Sequence, residues 1–131
     1  MKLFSANIED LENLYTTNLK KALDMEQKIT RALPDLIEKS TDPELMAAFR
    51  THLEETKGHV NKVEALLQRI TGGEAETETC KVINGLTTEA SDTITDVVDT
   101  GVRDVALIAA AQQVEQVEAV ELRSRRGSVL L

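Results

Sequence analysis

Four kinds of position in this chain could do chemistry, and all of them are acid or imidazole set against helical apolar patterns. The first is Glu26, which interrupts the stripe Tyr15, Leu19, Ala22, Glu26, Ile29, Leu33, Leu36. That stripe alternates steps of four and three, the spacing that keeps side chains on one side of a helix. The second is Glu55, on the edge of a helical face next to the column Leu45, His52, His59, Leu66. His59 follows Glu55 by one turn, so the two can reach a common point. The third and fourth are Glu115 and Glu118, in the series Ile108, Ala111, Glu115, Glu118, Leu122. A bare carboxylate inside a protein is costly, so it is paired, protonated or bound to metal. Carboxylates and imidazole converging inside a helical bundle are the usual shell of a dinuclear iron or manganese site. Carboxylates bridge and neutralise the cations, and imidazole suits iron.

Each position also has a plainer reading. A core glutamate is often a salt-bridge partner, and Lys28, Lys57, Lys62 and Arg103 are available. Glu115 and Glu118 fit a solvated flank where a bundle is open. His52 and His59 fit hydrogen-bonded core histidines.

The elements that must position these residues are helices. Aromatic residues make up 2% of the 131-residue chain and there is no Trp. Ala, Leu, Glu and Lys are abundant, which favours helix on helix over sheet. Helix one is expected from an Asn7 cap to about Glu38–Ser40. Helix two is expected from the Asp42 cap and Pro43 to the stop at Gly72-Gly73. Residues 74–79 read as a polar linker. Helix three is expected over about Thr79–Val98, with Ile83, Leu86, Ala90, Ile94 and Val97 inward. Helix four is expected over about Val102–Arg123, flanked by apolar positions that include both Leu107 and Ile108. The tail SRRGSVLL shows no helical period. Gly58, inside helix two, would allow close approach of a neighbour.

Composition excludes several classes of function. The formal net charge of −8 argues against nucleic acid as the main partner. No apolar run approaches the roughly 20 residues that span a bilayer, and the N-terminus lacks an apolar leader, so no membrane association is expected. Cys80 is the lone cysteine, which suits a reducing cytoplasm. Nucleotide-loop and CxxC motifs do not occur.

With these residues in place, the chain resembles the YciF/YciE-like family of ferritin-like bacterial stress proteins. The resemblance is carried by EDLENLYTTNLKKALDMEQKITRALPDLIEKSTDPEL, FRTHLEETKGHVNKVEALL and VRDVALIAAAQQVE, and covers roughly residues 3–115. It implies an all-α, ferritin-like antiparallel bundle, a homodimer and a carboxylate-bridged di-iron or di-manganese centre that oxidises Fe(II) with oxygen or peroxide. Glu26, Glu55 and Glu115 match the family's helix glutamates, and Glu118 falls where a second glutamate usually follows. In that scheme Glu26 and Glu115 bridge, while Glu55, His59 and Glu118 are terminal ligands. His59 falls where relatives often carry another polar residue. After Glu115 the family usually continues His-Tyr-Glu, where this chain has Gln116, Val117 and Glu118. The expectation is therefore a ferritin-like domain over 1–118 and a divergent tail over 119–131. The family's last helix would be missing, an apolar face exposed, and a second chain its cover. The rival expectation is a non-catalytic structural dimer with a degraded metal site.

Overall fold

The computed structural model describes the backbone of residues 11–130 and the side chains of residues 11–116. Four helices follow in order: α1 (Leu11–Lys39), α2 (Pro43–Thr71), α3 (Lys81–Asp96) and α4 (Thr100–Leu130). No strand occurs among the described residues, so the fold is the all-α bundle that the composition predicts. The expected Asn7 cap lies outside the described residues.

The central helix is α1, which packs against each of the other three. Its four-and-three stripe is the cause. Leu19, Ala22, Glu26, Ile29 and Leu33 are all buried, with Tyr15 and Leu36 half-buried at either end. Pro34 lies inside the helix without ending it. A tight connection returns the chain as α2, which starts at Pro43, where a missing backbone donor costs nothing. Its end at Gly72 is the expected glycine stop: Gly72 sits at φ 81°, ψ 23°, a left-handed conformation that glycine adopts without strain.

Two apolar clusters result. One joins Leu19 and Leu23 of α1 to Val63 and Leu67 of α2. The other joins Met25, Ile29 and Leu33 to Leu45 and Phe49, then to Cys80, Ile83 and Leu107 from the second half of the chain. That second cluster is where the α3–α4 hairpin is fastened to α1–α2.

Two carboxylates reinforce the fastening. Asp24 of α1 accepts a hydrogen bond from the Cys80 backbone N–H at 2.8 Å, at the start of α3, and pairs with Lys28 at 2.8 Å. Asp104 of α4 accepts from the Thr41 N–H at 2.9 Å, the Thr41 hydroxyl at 2.6 Å and the Asp42 N–H at 3.0 Å. Asp42 occupies the cap position of α2, yet its own side chain makes no capping bond. The anion at that positive helix end comes from α4 instead.

Three local expectations are corrected. The α4 backbone stays helical to Leu130, past the expected stop near Arg123. Gly58 has no neighbour within 4 Å of where a Cβ would stand, so it admits no close approach. The inward phase of α4 is one residue earlier than its sequence suggests. Asp104 and Leu107 are buried and Ala111 and Val114 half-buried, whereas Ile108 is 42% exposed. One residue of helix is about 100° of rotation, so the series through Ile108 and Glu115 is turned away from the core. The sequence misleads here because α4 is apolar on both faces.

Candidate functional site

Glu26 is the buried acid of the molecule's centre. It is 1% exposed, on α1 between the two apolar clusters. Its backbone carbonyl accepts the Thr30 hydroxyl at 2.8 Å, which ties the helix locally. Its carboxylate Oε2 lies 3.6 Å from Nδ1 of His59 on α2, an ion-pair distance when the ring is protonated. The imidazole side chain is 40% exposed, so it reaches inward from the rim of the bundle and keeps one side in water. Thr56, one turn earlier on α2, is fully buried, and its hydroxyl donates back to the His52 carbonyl at 2.7 Å. An acid and a base therefore meet at the edge of the core, with the carboxylate buried and the imidazole open to water on one side.

Three of the four cations that the sequence offers to Glu26 have other partners, and the fourth, Lys62, is exposed. Lys28 bonds Asp24, Lys57 bonds Glu54 at 3.3 Å, and the Arg103 guanidinium donates to the Val97 carbonyl at 3.3 Å.

The other expected ligands are placed differently. Glu55 is exposed. It precedes buried Thr56 by one residue and so lies about 100° around α2 from the core direction. Glu115 is exposed as well, one residue past half-buried Val114. Glu118 lies beyond the residues whose side chains are described. Among the described residues no group of three or more His, Cys, Asp or Glu side chains converges as a metal shell. Glu26 and His59 supply two donors, and a carboxylate-bridged dinuclear centre requires several more. The donors brought together among the described residues thus do not by themselves make up such a centre.

Two acids were not foreseen as sites. Asp104 has its pKa held below the ordinary 3.8 by the Thr41 hydroxyl first, then by the Thr41 N–H, with help from the Asp42 N–H and the charge of Arg103, against the opposing effect of burial. Its signal in the sequence is its place in the series Asp104, Leu107, Ala111, Val114, a carboxylate in the true core phase of α4. Asp24 carries no comparable signal, because its partner is a backbone N–H 56 residues away.

A cavity of about 280 Å³ lies apart from this pair, between Ile29 and Leu33 of α1, Phe49 of α2, Ile83 of α3 and Ala111 and Val114 of α4. Its wall is mostly apolar, with Arg31, Asp35 and His52 among the polar contributors. Neither Glu26 nor His59 lines it.

Four helices with α1 at the centre place the chain among the all-α bundles. Residues 10–124 match the model of a family described as a domain of unknown function, DUF892, and the chain belongs to that family. It is 33% identical over 112 residues to protein YciF of Escherichia coli K12, covering 86% of this chain and 68% of that protein. The solved structure of that E. coli stress protein superposes with a TM-score of 0.84 at 30% identity, over 92% of this chain and 76% of the other. YcfI of Rhodopseudomonas palustris, described as a candidate structural protein, superposes with a TM-score of 0.89 at 32% identity, over 96% of this chain and 80% of that one. The family expected from the sequence motifs, and its all-α fold, are thereby established. No described helix is long and apolar enough to cross a membrane.

Proposed function

We propose that this chain is a cytoplasmic, homodimeric helical protein of the bacterial stress response whose role is structural, with the Glu26–His59 pair bracing the bundle. The observation that carries this reading is the contrast among the expected ligands. Glu26 is buried against His59, while Glu55 and Glu115 face solvent. The candidate structural role given to the R. palustris relative supports it, as does the stress-protein description of the E. coli one. The acidic chain and its lone, buried Cys80 accord with a reducing compartment and with a protein partner rather than nucleic acid.

A second reading is favoured by one feature, the burial of Glu26 beside an imidazole. It is a di-iron or di-manganese centre that takes Glu26, Glu55, His59, Glu115 and Glu118 as ligands and oxidises Fe(II) with oxygen or peroxide. Glu55 and Glu115 would have to turn inward for it.

Calorimetry of wild type and Glu26→Ala, with and without Mn(II), separates the two. The structural reading predicts no response to Mn(II) and a variant destabilised by about 1–3 kcal/mol, since the imidazole loses its buried partner. A wild-type melting temperature that climbs with Mn(II), a climb absent in Glu26→Ala, would establish the metal reading instead.

A further inference from the structure

The cavity of about 280 Å³ takes no part in the Glu26–His59 pair, and its wall is built in two parts. Leu33, Phe49 and Ile83, each 3% exposed or less, form an apolar floor. Arg31 and Asp35 of α1 and Ser91 of α3 line it too and are exposed, so it opens to water between α1 and α3. Protein interiors hold few spaces larger than a water molecule, so an empty cavity of this size is a packing deficit that a ligand would repair.

Charge and size identify the ligand. Arg31 and Asp35 stand one helical turn apart, where opposite charges can pair, although arginine before the acid is the weaker order. Among the described residues neither side chain makes an ion pair or a hydrogen bond. The mouth therefore offers one cation and one anion side by side. His52, half-buried on α2, is the remaining titratable group on the wall. A simple anion would be repelled by Asp35 and by a chain of net charge −8, and a simple cation by Arg31. A zwitterion satisfies both. The guanidinium fork suits a carboxylate, and the Asp35 carboxylate accepts from an ammonium. Side chains at this spacing start about 5–6 Å apart, and the two charges of an α-amino acid share one carbon, so they fit between them. An apolar cavity of about 150 Å³ accepts a benzene ring, so this one has room for a group of about twice that size.

We propose that the cavity binds a free L-α-amino acid with a large apolar side chain. The side chain fills the space, the carboxylate meets Arg31 and the ammonium meets Asp35. The site is independent of the Glu26–His59 pair and of which role that pair serves.

L-Tryptophan is the probe. The protein contains no Trp, so indole fluorescence reports the ligand alone. Titrating the full chain should shift the emission to the blue and saturate, with a dissociation constant of about 1 mM or tighter. D-Tryptophan should bind about fivefold more weakly, because three points of attachment fix the hand. Arg31→Gln should weaken L-tryptophan about fivefold and leave tryptamine, which has no carboxylate, unchanged. Asp35→Asn should weaken L-tryptophan to the same extent and leave indole-3-propionate, which has no ammonium, unchanged. Both positions are exposed, so circular dichroism should show both variants folded. Ala90→Phe, on the α3 wall, should fill the cavity and abolish the blue shift. The absence of a saturable signal in wild type would overturn the site, as it would if a second copy of the chain closed the mouth. Binding that persists in Ala90→Phe would overturn it too. Tryptamine or indole-3-propionate binding as tightly as L-tryptophan would overturn the zwitterion.

Discussion

The α1–α2 hairpin and the α3–α4 hairpin bury themselves to very different depths. Eight residues of α1 and five of α2 are buried. On α3 it is Ile83 alone, and among the described side chains of α4 it is Asp104 and Leu107. The first hairpin holds both apolar clusters together, whereas the second contributes to one of them. What the second hairpin lacks in apolar burial it partly makes up in directed hydrogen bonds, through Asp104 at the start of α2 and Asp24 at the start of α3. A non-directional core tolerates small errors of phase. A three-bond carboxylate fixes the angle at which a lightly packed helix is held.

The largest test of this difference is a pair of neighbouring substitutions. Leu107→Asp should cost several kcal/mol and abolish cooperative unfolding of the α3–α4 hairpin, since it buries an unpaired charge where Leu107 is 1% exposed. Ile108→Asp should leave the stability of a single chain within about 1 kcal/mol. Equal thermal shifts in the two variants would mean that the inward phase of α4 has been wrongly assigned.

The next test compares the hairpins directly by native-state hydrogen exchange. Amides in the middle of α3 should exchange at least about tenfold faster than those of α1 between Leu19 and Leu33, as lightly buried units open at lower free energy than the core. Uniform protection across the four helices would show instead that the two hairpins unfold as one unit.

A smaller effect is expected from acid. The folded pKa of Asp104 is depressed, so its contribution is present above the unfolded value and fades as pH falls through the folded one. Wild type should therefore lose stability on acidification below about pH 4 more steeply than Asp104→Asn. At neutral pH the variant should be the less stable of the two. Parallel pH curves would remove the carboxylate's role in holding the second hairpin.

How much of this was readable beforehand follows from the same contrast. The inward side of α1, with Glu26 at its centre, was legible because polar residues fill the opposite face and leave a single possible phase. The α2 boundaries were legible from Pro43 and Gly72. The phase of α4 was not, because Val102, Val105 and Ala109 on one side compete with Leu107, Ala111 and Val114 on the other. That ambiguity drew attention to Glu115, on the outer side, and away from Asp104, on the inner one. Spacing likewise set Glu55 and His59 one turn apart on α2, but only tertiary packing decides that the imidazole meets Glu26 while Glu55 faces water.

The smallest expected effect probes the well-packed hairpin at a conformational weakness in α2. Gly58 lies in the interior of α2, next to His59, and no atom stands within 4 Å of the place a Cβ would take. Helical glycine loses more backbone entropy on folding than alanine, and nothing here compensates it by close packing. Gly58→Ala should therefore stabilise the protein by about 0.5–1 kcal/mol. The gain should appear in the α1–α2 hairpin and leave exchange rates in α3 unchanged, because α2 is fastened chiefly to α1. A loss of stability in Gly58→Ala would have a definite meaning. It would show that a neighbour approaches α2 beside His59 in the working protein.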